Sequence, residues 1–196
     1  TLDAEEADRL VISLEILDRL AREPALAGWG GLGLAVQAYQ KRAEAVIDKL
    51  DLLAAETGQR LMVRLVKGAY WDSEIKRAQQ EGRPDFPVYT TKLATDASYL
   101  TCARRLFTAR HRLFPQFATH NAHTLCAVRL LAEEAGFSAE QYEFQRLHGM
   151  GEALYEAAEA GAHVRVYAPV GAHEDLLPYL VRRLLEQKRE RDRGGI

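Results

Sequence analysis

The 196 residues suffice for one domain with a sizeable core and are marginal for two, and their 47% hydrophobic and 28% charged content is that of a soluble globular chain. A net charge of −2 leaves no basic excess and argues against nucleic acid as a partner. No apolar run approaches the roughly 20 residues that span a bilayer, and the acidic opening, Asp3 to Asp8, is not that of a signal peptide, so the abrupt start reads as that of a fragment.

Residues 4–22 read as an amphipathic helix, with Ala7, Leu10, Leu14 and Leu17 at helical spacing and Pro24 as the stop. Residues 31–37 form a nearly continuous apolar strand. Residues 41–57 carry the clearest helical stripe, Ala43, Val46, Ile47, Leu50, Leu53 and Ala54, with Gly58 placed as a C-cap glycine. The pattern continues with a strand at 60–66, a short helix at 72–79, a Gly/Pro-bearing loop at 81–88 and a helix at 90–110. Next come a strand at 116–120, a helix at 123–135 ended by Gly136, a strand at 142–147 and a short helix at 151–160. A strand at 164–167, a helix at 173–190 and a charged tail complete the chain.

Such alternation implies parallel β/α units. Five strands plus a stub at Thr1-Leu2 suit the last six units of a (β/α)8-barrel, with two units preceding residue 1. A doubly wound open sheet is the competing architecture. Residues 1–190 are assigned to the barrel and 191–196 to a tail or linker. Cys102 and Cys126 both fall in helical patterns and read as reduced core thiols. No Cys/His spacing resembles a metal site.

Both architectures bind ligands at the C-terminal ends of their strands. Those ends carry Asp3, Gln37, Arg64 with Lys67, His120 with Asn121, Gln145 with His148, and Tyr167. Packing alone does not account for so regular a recurrence, because buried polar groups are costly without partners. Taken singly, these residues have more than one reading. Asp3 is a site residue or a helix cap, and Gln37 a site or loop residue. Arg64 faces a bound anion or a structural salt bridge. Lys67, before Gly68, is a Schiff-base lysine, a loop lysine or a phosphate contact. His120 and His123 are site or structural histidines. On the last helix Arg182, Arg183 and Glu186 cluster at one, three and four residues. They form either a carboxylate clamp or an ion pair on a solvated face.

Laid out in this way, the sequence is similar to the proline dehydrogenase domains of bifunctional bacterial proline-utilisation flavoproteins. The resemblance runs through Asp3–Leu10, Gln37–Arg42, Arg64–Asp72, Phe117–His123, Tyr142–Gln145, Leu147–Gly151, Tyr167–Gly171 and Tyr179–Glu186, in family order. It implies a distorted (β/α)8-barrel whose last helix sits over the mouth. It implies FAD-dependent oxidation of L-proline to Δ1-pyrroline-5-carboxylate, with electrons passed to a membrane quinone. The enzyme would be cytoplasmic, in peripheral membrane contact and able to form oligomers. Turnover would rise with pH, because the proline amine must be neutral to lose hydride.

Arg182 and Arg183 would bind the proline carboxylate, and Tyr167, Leu147 and Tyr70 would line the ring pocket. Arg64 would lie at the flavin N5 edge with Asp3 near it. These two and Tyr167 are the catalytic candidates. Gln37, Arg64, Val66, Lys67, Gly68, Trp71, Thr119, His120, Gln145 and Glu186 map to FAD-contacting positions, which leaves Lys67 without a Schiff-base role. The family's further active-site lysine, and an acidic partner for one carboxylate-binding arginine, would precede residue 1. Its second dehydrogenase domain, and the DNA-binding module of some members, lie outside these 196 residues. The short segment between Tyr155 and Arg165 departs from some relatives.

Overall fold

Successive side chains of a strand point to opposite faces of its sheet, so the apolar alternation within each strand decides how the helices can cover it. A computed structural model describes residues 1–158, 163–172, 174, 176, 177 and 181. Its elements run α1 (Leu10–Ala21), β1 (Gly33–Gln37), α2 (Ala43–Thr57), β2 (Leu61–Val66), α3 (Trp71–Gln80) and α4 (Lys92–Thr108). They continue with β3 (Leu113–Ala118), α5 (Ala122–Glu134), β4 (Glu143–Leu147), α6 (Glu152–Ala157) and β5 (His163–Tyr167). Contacts divide the chain into two units, Thr1–Val166 and Tyr167–Ile196. In the second, Glu174, Leu176, Leu177 and Val181 are helical.

The sheet order is β1-β2-β3-β4-β5, and the β1–β2, β2–β3 and β3–β4 pairs are parallel. Leu2 adds a parallel bridge to Leu34 on the far side of β1, donating to Gly33 O at 2.8 Å while its own carbonyl accepts from Ala35 N at 2.9 Å. The stub at Thr1-Leu2 is therefore the next strand of the sheet. A doubly wound sheet reverses its strand order partway, whereas this one advances in a single direction. Right-handed crossovers advancing one way lay every helix on the same face. The chain accordingly has the architecture of consecutive barrel units.

The helix-covered face is apolar. Leu34 lies opposite Val63 and Val36 opposite Leu65, and Leu65 lies opposite Phe117, which faces Phe144. All six are buried under helices that supply Ile47, Leu50, Tyr99, Cys102 and Leu106. The Phe107, Phe117, Tyr142 and Phe144 rings stack edge-on or tilted at 5.2–6.1 Å between centroids. The other face is polar at its centre, with Ala35, Arg64, Gln116 and Glu143 forming one row across β1 to β4.

Two elements differ from the pattern read in the sequence. The expected helix at 4–22 begins as a short 3₁₀ turn, Ala7–Arg9, and becomes α-helical only at Leu10. Long-range bonds claim the groups a helix would use: Gln37 Nε2 donates to Glu5 O at 2.8 Å, and Ala7 N donates to Glu74 Oε1 at 2.6 Å. The third strand also starts earlier than 116. Pro115 is accommodated because β3 pairs with β4 only from Gln116 onward, so its missing N–H interrupts no bond to β4.

Two glycines separate packing from backbone freedom. A Cβ on Gly33 would lie 2.2 Å from Met62 O of the neighbouring strand, whereas Gly58 has φ +68° and open space around it. Gly33→Ala is expected to cost at least about 3 kcal/mol by forcing β1 off β2. Gly58→Ala should cost only about 1–2 kcal/mol. Urea unfolding of both variants checks this, and equal losses would contradict the strand packing.

Candidate active site at the strand ends

Side chains tie the strand ends to one another. Gln37, last in β1 and buried, uses both ends of its amide: Nε2 on Glu5 O and Oε1 accepting from Ala69 N at 3.3 Å. Tyr99 of α4 reaches Leu65 O and Ala118 O at 3.3 and 3.4 Å. Tyr155 of α6 repeats the arrangement one strand on, donating to Thr119 O at 2.8 Å and meeting Gln145 O at 3.5 Å. Burial pushes both phenols up, so both remain neutral donors.

Arg64 emerges from the polar face of β2, its side chain 16% exposed, and Nη1 meets Asp3 Oδ1 at 3.4 Å. Asp3 is not a helix cap, because the 3₁₀ turn begins four residues later. Of the two readings of Arg64, the salt bridge is present, its arginine set in the central row of the polar face two residues before the end of β2. Val66 ends β2. Beyond it Lys67 ion-pairs with Asp96 of α4 at 2.7 Å, and Lys92 grips the other oxygen of that carboxylate at 2.6 Å. Burial tends to raise the Asp96 carboxyl, but hydrogen bonds from the two lysines outweigh it and hold it below the ordinary carboxylate range. A Schiff-base lysine must be a neutral amine, so this pairing argues against that role for Lys67.

Gly68 has φ +140°, and a Cβ there would lie 2.5 Å from the Tyr39 ring; only glycine lets the loop lie flat against it. Tyr70 donates to Glu5 Oε2 at 3.1 Å, and Trp71 Nε1 donates to Tyr89 O at 2.8 Å. Thr119 is buried just past β3. His120 Nε2 accepts from Leu147 N at 3.0 Å. Asn121 caps α5 through Thr124 N at 2.9 Å. His123 and His148 are exposed. Gln145 and Leu147 are buried in β4.

Tyr167 ends β5 and opens the second unit. Arg182, Arg183 and Glu186 lie outside the described residues. Sequence reasoning missed Asp96, Lys92, Glu143 and Arg165. Glu143 carried a signal: it stands two residues before Gln145 and so on the same face of the strand. Asp96 carried none, because it sits in a helix remote in sequence from Lys67.

These residues fit FAD. Two cations and a left-handed glycine loop at parallel strand ends suit an anionic dinucleotide. The buried Gln116 Oε1 has no hydrogen-bond donor among the described residues, which leaves an acceptor on the polar face for a ligand or solvent to meet.

The profile of the family described as "Proline dehydrogenase" matches residues 1–193. The Bifunctional protein PutA of Salmonella typhimurium is 59% identical over 192 residues, 94% of this chain and 14% of that protein. Proline dehydrogenase 2 of Bacillus subtilis is 31% identical over 188 residues, 95% of this chain and 54% of that protein. A crystal structure of a Bradyrhizobium japonicum PutA variant superposes with a TM-score of 0.88 at 58% identity, covering 94% of this chain and 19% of that one. The chain thus spans about a seventh of its bifunctional relatives and about half of the Bacillus enzyme.

The Lys67–Asp96–Lys92 cluster predicts a pH signature. A carboxyl held below its unfolded value contributes stability that is present above that value, about 3.9, and lost as pH falls through the folded one. Asp96→Asn should therefore cost about 1–3 kcal/mol at neutral pH, and its deficit should shrink below about pH 4. Urea midpoints across pH check this; a deficit independent of pH would exclude the ion pair as its source.

Proposed function

Because the chain belongs to the proline dehydrogenase family, we propose that it forms most of the catalytic barrel of an enzyme oxidising L-proline to Δ1-pyrroline-5-carboxylate. The observation that carries this reading is the Asp3–Arg64 pair near the strand ends. It sets a fixed positive charge among buried amides where barrels hold their ligands. FAD, when bound, supplies the acceptor for the hydride leaving proline C5.

The chain's own residues then have distinct tasks. Arg64, oriented by Asp3, would hold its positive charge beside the cofactor ring. Lys67 and the Gly68 backbone border the cofactor, with Gln37, Val66, Trp71, Thr119, His120, Gln145 and Glu186 completing its surroundings. Arg182 and Arg183 offer planar forks to the substrate carboxylate and so present C5 for reaction. Tyr167, Leu147 and Tyr70 exclude water around the pyrrolidine ring. The amine gives up its proton before the C5–N bond becomes a double bond, so turnover rises with pH. A membrane quinone takes the electrons, with the protein on the cytoplasmic side in peripheral contact.

The test is the visible absorption spectrum of the purified protein before and after L-proline. A flavin band that bleaches with proline is expected. Arg182→Met should lose about 3 kcal/mol of transition-state stabilisation, roughly a hundredfold in kcat/KM, while the band itself remains. A protein that takes up no flavin, or whose flavin ignores proline, would refute the reading.

A further inference from the structure

Glu143, a charged residue buried on the polar face of the sheet, has no role in the scheme above. Its side chain is 5% exposed. Oε1 accepts from Gln116 Nε2, Gln145 Nε2 and Arg165 Nε, each at 2.8 Å, and Oε2 accepts from Arg165 Nη2 at 2.8 Å. Three neighbouring strands therefore converge on one carboxylate. Gln116 is its direct register partner, and Gln145 stands two residues nearer the C-terminal end of the same strand.

We propose that Glu143 is a positioning residue that fixes the Gln145 amide with its carbonyl oxygen toward the cofactor and its NH2 group away. This rests on the reading that Gln145 borders FAD. An ionised carboxylate can only accept hydrogen bonds. Turning the Gln145 amide over would set its carbonyl oxygen against Glu143 Oε1, two acceptors in contact without a proton between them. The amide therefore has one orientation, with an N–H of its NH2 group committed to Glu143 inside the sheet. Arg165 keeps the carboxylate ionised by a bidentate pair. Burial opposes that charge, but Arg165 and the two amides overcome it and hold the carboxyl below its ordinary range. What Gln145 offers the cofactor is then an acceptor, matched to an N–H or hydroxyl donor of FAD. Gln116, its NH2 also committed to Glu143, has a buried carbonyl without a donor among the described residues. The same carboxylate thus orients two acceptors.

The test uses the FAD-loaded protein, with flavin fluorescence giving the FAD dissociation constant and the visible spectrum reporting the ring's surroundings. Glu143→Gln keeps the shape but can donate as well as accept, so Gln145 becomes free to turn. The dissociation constant should rise about tenfold, the worth of one hydrogen bond, with a shift of the flavin bands. Gln145→Met should do the same, and the double variant should be no worse than either single one. A Glu143→Gln protein with a lower melting temperature but unchanged FAD affinity and spectrum would overturn the proposal and leave Glu143 a structural ion pair. If that variant does not fold, Gln145→Met decides: unchanged FAD affinity there overturns the proposal. A wild-type protein that binds no FAD would instead refute the assignment of the site, and the proposal with it.

Discussion

A parallel strand that ends inside a molecule leaves its last backbone groups beyond the reach of the ladder, and a buried peptide group without a partner is costly. Much of the architecture around the strand ends meets this constraint. Gln37, Tyr99 and Tyr155 each bond backbone groups at or just beyond those ends. Ser98 donates to Ala38 O at 2.7 Å. His120 takes the Leu147 N–H. Tyr99 and Tyr155 each bond two strand ends at once, and Gln37 and His120, proposed to border the cofactor, take part in the same bonding.

The same economy governs charge. Ion pairs on the outer helices, such as Arg112 with Asp51 and Arg22 with Asp18, are half exposed and contribute little. Two other carboxylates are each shared among several partners. Asp96 holds two lysines, and Glu143 holds one arginine and two amides. Removing one partner there leaves others unsatisfied, so such clusters orient side chains as well as stabilise the fold. Arg64 differs, because its carboxylate, Asp3, is largely exposed at 61% of its side chain.

Much of this was legible from the residues alone. The period-two pattern of Leu61, Val63 and Leu65 and the period-3.6 stripe of α2 identify elements whose bounds agree with the structure to within two residues. The helix expected at 4–22 was misjudged at its start, because Glu74, 67 residues away, takes the Ala7 N–H. Pro115 hid the beginning of β3, because a proline reads as a stop until one knows that β4 does not yet pair there. Arg64 was singled out by its polarity inside an apolar strand pattern, and Gln145 by its place at a strand end. Asp96 was not, since a charged residue on a helix looks the same whether it faces water or a lysine on a strand loop.

The sequence by itself determined the alternation of strand and helix, the end of the sheet at which polar chemistry gathers and the family to which the chain is similar, because periodicity and motif order are local properties of the chain. Only the tertiary structure decided that the strands advance in one direction, that Asp3 meets Arg64 across 61 residues, and that Glu143 gathers donors from three strands. Those facts depend on register and crossover hand, which are set when separate strands pair and which no stretch of residues encodes alone.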